Sequence, residues 1–251
     1  MQQISKERNL DFRTTRNRAT SKVRKIMSSA NQSATISTRT GPATRQRILD
    51  AATELFYANG LRSVSADRIV AQVGITKVTF YRHFPTKEDL IVAYLERRAE
   101  WERAAVESAR AAAPGNPAEA LRMIVDGIGQ ESCSPGFRGC PFINAAAEYA
   151  DPDHPIRHVV NTHRQWFKGA LEEFLVELRV PDSSRVADQL VILRDGAMIS
   201  GYLGDPTIVA DALYNAGVAV IERRNEANEA RYAWDNTFLE PGVPRPRPRE
   251  S

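Results

Sequence analysis

Several common chemistries find no footing in this chain of 251 residues. It has two cysteines, Cys133 and Cys140, too few for a disulfide-stapled scaffold and suited to a reducing cytoplasm. No apolar run approaches the length of a membrane span, so no membrane partner is expected. The N-terminus lacks the continuous apolar stretch of a secretory signal. No segment alternates apolar and polar residues long enough to make a strand. There is no nucleophile elbow, phosphate-cradling glycine loop or zinc-protease motif. Gly127-Ile128-Gly129 lacks the preceding strand that a dinucleotide fingerprint requires. His154, His158 and His163 have no supporting cysteine or carboxylate at metal-ligand spacing. An enzyme, a cofactor and a metal site are therefore not expected.

What is present is an ordinary soluble composition, 42% hydrophobic and 26% charged. The net charge of +3 says little, but its distribution is uneven. Residues 1–40 hold nine basic and two acidic groups, a net +7, which leaves 25 basic and 29 acidic groups, a net −4, for the rest. A basic arm on a mildly acidic body fits nucleic acid at one end, although a solvated tail explains the arm alone equally simply. Residues 1–43, rich in Ser, Thr and Arg without a sustained helical stripe, are read as a disordered arm. Met27 lies within it and is an alternative start, which N-terminal sequencing of native protein would test.

From Thr44 the pattern becomes helical. Ile48, Leu49, Ala52, Leu55 and Phe56 share one face of a helix that Asn59-Gly60 ends. Ser65 caps a short helix over Ala66–Val73, Gly74 turns the chain, and Thr76 caps a second over Lys77–His83. Thr86, followed by Glu88 and Asp89, opens a long helix to about Ala113. Further helices are predicted at about 117–133, 141–150, 156–178, 184–203 and 207–224, separated by segments rich in Pro, Gly and Asp. The predicted fold is all-α with about nine helices. Residues 44–91 form a head, 92–224 a body, and 225–251 a Pro/Arg-rich tail that is disordered from Arg231.

Two short helices joined through a glycine turn can cross steeply and leave the second free for a DNA major groove. Lys77 can donate to guanine, Thr79 can bond a base edge, and Val78 can meet a thymine methyl. Tyr81 and His83 can bond phosphate oxygens, Arg82 adds charge, and Lys87 lies near a helix N-terminus that already favours phosphate. Segments 53–60, 65–74 and 74–90 together resemble the head of the tetracycline-repressor-like (TetR) family. The run Gly74-Ile75-Thr76-Lys77-Val78-Thr79-Phe80-Tyr81-Arg82-His83-Phe84-Pro85-Thr86-Lys87-Glu88 carries most of the likeness. The resemblance implies a base or groove contact at Thr79, backbone contacts at Tyr81, His83 and Lys87, and helix caps at Ser65 and Thr76. Val78 stands where many members have Gly, and Val70 where many have Ala.

The same resemblance implies a second domain that binds a small effector and dimerises, a palindromic double-stranded DNA operator, and repression relieved by the effector. Leu190, Leu193, Ala197, Gly201, Leu213, Ala216, Gly217 and Val220 on the last two helices are read as a close-packing dimer face, an intramolecular core being the alternative. Trp101, Phe137, Phe142, Asn144 and Trp166, with His163 and Phe167, are candidate pocket residues, although each is individually as well explained as core or surface. His163, in a polar stretch, is expected to be exposed. Arg138–Ala146 resembles a run in one TetR subgroup. Cys140 precedes Pro141 at a helix N-terminus near Arg138, so a thiol switch with Cys133 is an alternative reading; the simpler one is a small core cysteine.

Overall fold

The computed structural model describes residues 41–237, with side chains described as far as Arg224. The expected basic arm over 1–40 and the chain beyond 237 lie outside the described residues. Contacts divide the chain between Thr44 and Arg45, and the packing below belongs to the unit from Arg45 onward. Among the described residues there are nine α-helices and no strand, the predicted all-α class. They are α1 Gly41–Asn59, α2 Ala66–Val73, α3 Lys77–His83, α4 Lys87–Ala112, α5 Pro117–Ser132, α6 Pro141–Glu148, α7 Pro155–Glu177, α8 Ser183–Leu203 and α9 Val209–Thr237. A single 3-10 turn, Pro206–Ile208, leads into α9.

The helix starts follow local chemistry. Ser65 Oγ accepts from Arg68 N at 3.2 Å, and Thr76 Oγ1 accepts from Thr79 N at 3.2 Å, each satisfying an orphan donor. At Thr86 the exchange is reciprocal: its hydroxyl accepts from Asp89 N at 3.0 Å, and Asp89 Oδ2 accepts from Thr86 N at 3.0 Å. Gly74 ends α2 at φ 70°, in the left-handed region that glycine enters without strain. The last helix corrects the sequence reading. It continues to Thr237, so the segment from Arg231 expected to be tail opens in helix. Residues 225–233 are mostly Glu, Ala, Asn and Arg with no breaker, and the first proline comes only at Pro241.

In the body, α4 packs on α5 and α7, α8 lies between α7 and α9, α9 closes on α5, and α6 rests on α7. The largest core cluster runs without a break from the head into the body. It joins Ile48, Phe56, Ile69, Phe80, Phe84 and Leu90 to Tyr94, Cys140, Phe142, Ile156 and Met198. A second cluster, around Phe167, Leu175, Val186 and Val191, fills the far end of the bundle.

Small residues let the helices of the body approach each other closely. A Cβ at Gly129 of α5 would lie 2.5 Å from Ala210 Cβ of α9. A Cβ at Gly201 of α8 would lie 2.9 Å from Ser132 Oγ. These glycines, and with them much of the expected dimer face, serve packing within one chain. Leu213 is buried, and Leu190 and Val220 pack against the second cluster. Gly129→Ala, which must push α5 from α9, is expected to cost about 1–3 kcal/mol in chemical denaturation; an unchanged midpoint would show that the contact relaxes freely.

Candidate functional site

The recognition surface is built on α3. Phe80, fully buried, and the buried Phe84 after it anchor the helix on α1, with Arg45 stacked over the Phe84 ring at 4.7 Å. Arg47 Nη2 donates to Val73 O at 2.6 Å and ties α1 to the end of α2. This leaves Val78 81% exposed and Tyr81 47% exposed. The two residues, three positions apart, are neighbours on the outward face of the helix. Thr79 is half-buried, and its hydroxyl shares a hydrogen bond with that of Thr76 at 3.0 Å. Ser65 and Thr76 are exposed caps of the two short helices.

The two expected contact lysines have partners within the chain, whereas the expected contact histidine has none among the described residues. Lys77 Nζ lies 2.8 Å from Asp67 Oδ1 on α2, and the Asp67 hydrogen bond holds its ammonium above the usual lysine range. Lys87, at the start of α4, donates to Arg62 O at 3.1 Å, and burial draws its ammonium below the usual range. His83 is half-buried, its Nε2 enclosed without a hydrogen-bond partner among the described residues.

The short helix α6 is fastened to the end of α1 at both of its ends. Before it, Tyr57 Oη donates to Gly139 O at 2.9 Å and accepts from Arg138 N at 2.9 Å, while Arg138 Nη1 donates to Ala58 O at 2.9 Å. At its far end the Glu148 carboxylate accepts from Leu61 N at 2.8 Å and Arg62 N at 2.7 Å. Charge-assisted bonds of this kind are about twice as strong as neutral ones. They carry no local sequence signal, since the partners are 80 to 87 residues apart.

Behind α6 lies a buried ionic network. Glu102 Oε2 accepts from Arg194 Nη2 at 3.2 Å and from His163 Nε2 at 3.1 Å, and its Oε1 accepts from Arg98 Nε at 3.0 Å. Burial alone would raise the Glu102 carboxyl, but the His163 hydrogen bond and the Arg98 and Arg194 guanidinium groups outweigh it and hold it at about 2. Arg98 also pairs with Glu131 and stacks over the Trp101 ring at 4.1 Å. His163, expected on the surface, is buried; it stacks on Phe142 with ring centroids 3.7 Å apart. Arg194 Nη1 reaches Cys140 Sγ at 3.1 Å. The cation beside this thiol is thus Arg194, whereas Arg138 turns to Ala58 and the Tyr202 ring. Cys140 is a buried core residue and Cys133 is exposed, with its thiol against Pro206 O at 3.5 Å.

A cavity of about 290 Å³ opens among α5, α7, α8 and α9. Its walls are mostly aliphatic, from Leu121, Val125, Leu171 and Leu190, and include Phe167 and Arg194. Of the expected pocket residues only Phe167 lines it. Asn144 borders a second cavity of about 250 Å³ between α1, α6 and the end of α8, and its side chain donates to Arg138 O at 2.9 Å. Trp101, Phe137, Phe142 and Trp166 line neither; Phe142 is core, Phe137 packs against the first cluster, and Trp166 sits between the second and third clusters.

A family model for bacterial regulatory proteins of the tetR family matches residues 48–94, the segment from the first buried face of α1 to the beginning of α4. A TetR-family transcriptional regulator from Streptomyces coelicolor, SCO4454, has a solved structure that superposes with a TM-score of 0.69 at 42% identity, covering 72% of this chain and 95% of that one. The transcriptional regulator LmrA of Bacillus subtilis is 27% identical over 154 residues, 59% of this chain and 81% of its own. SrpR of Pseudomonas putida is 42% identical over 55 residues, 22% of this chain and 26% of its own. The chain belongs to the TetR family: it is a DNA-binding, helix-turn-helix transcriptional regulator and not an enzyme.

Two outcomes follow from this geometry. Glu102→Gln should cost roughly 3 kcal/mol, because it leaves two buried guanidinium groups without their shared counter-charge. Glu102 has a depressed carboxyl, so its contribution is present above the ordinary carboxylate range and fades as pH falls toward 2. The stability gap between wild type and variant should therefore narrow over that interval in urea titrations; a constant gap would mean that the charge is not what matters. Asp67→Asn, which frees the Lys77 ammonium, should tighten DNA binding severalfold and steepen its salt dependence. Weaker binding would mean that Asp67 positions Lys77 for DNA.

Proposed function

We propose that this regulator is a dimeric repressor that leaves a palindromic operator when a small molecule enters the body. The observation that carries this reading is an unbroken line of contacts from cavity to head. Arg194 lines the cavity, and its guanidinium holds Cys140, the residue at the mouth of α6. Through Tyr57 and Glu148, α6 in turn grips the end of α1. An occupant that shifts Arg194 moves a helix bonded directly to the DNA-reading unit, and by linkage DNA opposes the occupant equally. The burial of Cys140 supports this ligand reading over a thiol switch.

Dimerisation is proposed through the outer faces of α8 and α9. Ile192, Ile199 and Leu203 fall at spacings of seven and four on one face of α8, all exposed, and Ile208 continues the patch toward α9. Such a stripe on an otherwise polar surface suits a two-fold partner, and two recognition helices then meet two half-sites.

On DNA, we assign Val78 and Thr79 to base edges, Lys77 to a guanine, and Tyr81, His83 and Lys87 to phosphates. Ser65 and Thr76, as caps, present helix N-termini toward the backbone. Gel-shift titration on DNA flanking the coding region tests this division. Tyr81→Ala and Lys87→Ala should weaken binding to every sequence, while Val78 and Thr79 substitutions should change which operator is preferred, by about 1–3 kcal/mol per base pair. Equal, sequence-independent losses for all four would overturn the assignment.

A further inference from the structure

The cavity's chemistry narrows what can fill it. The polar residues of its lining are Arg122, Arg194, Tyr214 and Glu222, of which only Arg194 is buried, and the rest is hydrocarbon. That guanidinium is already balanced, with Glu102 at 3.2 Å and Asp195 at 3.3 Å. The second cation in the wall, Arg122, lies between Glu119 at 2.7 Å and Asp126 at 3.2 Å. Neither cation is left over for an anionic ligand, and the acidic side chain of Glu222 at the exposed α9 edge makes entry of an anion less favourable still. For a cationic ligand the one carboxylate of the lining, Glu222, is exposed and solvated, while the buried charged residue of the lining is the Arg194 cation. Burying an unbalanced charge of either sign among aliphatic side chains is strongly unfavourable. One polar hydrogen is unused: Arg194 Nε–H, buried, has no partner among the described residues. Enclosed as it stands, it can meet a single neutral acceptor only when an occupant displaces the Arg194 side chain.

We infer that the effector is an uncharged, largely apolar molecule with one hydrogen-bond acceptor, such as a ketone, held among Leu121, Val125, Phe167, Leu171 and Arg194. At about 290 Å³ the space sits at the small end of ligand cavities, roughly 300–1,000 Å³, so the occupant is about the size of a bicyclic aromatic ketone. This rests on the reading of the body as an effector sensor and names the class of molecule it senses.

A charge-matched probe series tests the class: 2-acetylnaphthalene, 2-naphthoate and naphthylmethyl-trimethylammonium, titrated by calorimetry into the full chain without DNA. The ketone should bind, with both ions at least ~10-fold weaker because each would bury an unbalanced charge. Val125→Phe, which fills the cavity, should abolish ketone binding while its helical signal and melting transition show it folded. Equal or tighter binding of either ion, no binding by any probe, or ketone binding retained in folded Val125→Phe would overturn the proposal. Gel shifts with the same probes separate it from the sensor reading. A ketone that binds without releasing operator DNA upholds the class and sinks the sensor. An ion that releases DNA where the ketone does not sinks the class and keeps the sensor.

Discussion

The Glu102 carboxylate, on α4, is the point at which three body helices are made to agree. A lone ionised carboxylate in a protein interior is strongly disfavoured, and so are the two guanidinium groups around it. Each becomes tolerable only in the presence of the others. Arg98 comes from the same helix, one turn earlier, His163 from α7 and Arg194 from α8. The hydrocarbon clusters around the network would accept small slides of one helix along another. The ionic contacts would not, because a shift of an ångström or two leaves a charge without its partner. The network therefore sets the register of the bundle, and the apolar clusters supply most of the area that holds it.

Arg194 extends that register beyond the body. One nitrogen serves Glu102, another serves the Cys140 sulfur, and the residue lines the cavity. Cys140 opens α6, and both ends of α6 are bonded to the chain around the close of α1. A single side chain thus touches the cavity, the fixed frame of the bundle and the helix that is bonded to the head. Coupling of this kind needs no long relay, since one rotamer change alters all three.

The parts of this arrangement visible in the sequence are those determined within a few residues. Ser65, Thr76 and Thr86 announce their helices because a cap is a contact across three positions. Gly74 announces its turn because few other residues enter that backbone region, and the order of residues from Gly74 to Glu88 was enough to place the head. His163 was misplaced because its neighbours Asn161, Thr162, Arg164 and Gln165 are polar, while the carboxylate that makes burial acceptable lies on another helix. Sequence proximity points to Arg138 as the cation beside Cys140, but the guanidinium that arrives there is 54 residues away. The small residues of the last two helices did signal close approach. Sequence alone did not say whether the approach was to a second copy or to α5 of the same chain.

The largest core cluster has no seam between head and body. Ile69, Phe80 and Phe84 of the DNA-reading part belong to the same continuous packing as Phe142, Ile156 and Met198. A domain with its own core can be moved between proteins like a cassette. This head cannot: cut after α3 or in the first turns of α4, it would leave an apolar wound where Tyr94, Leu95 and the α6 residues had been. Its sequence must therefore change in step with that of the body beneath it. Descendants that change the body residues of this cluster inherit a constraint on which residues can still pack under α3.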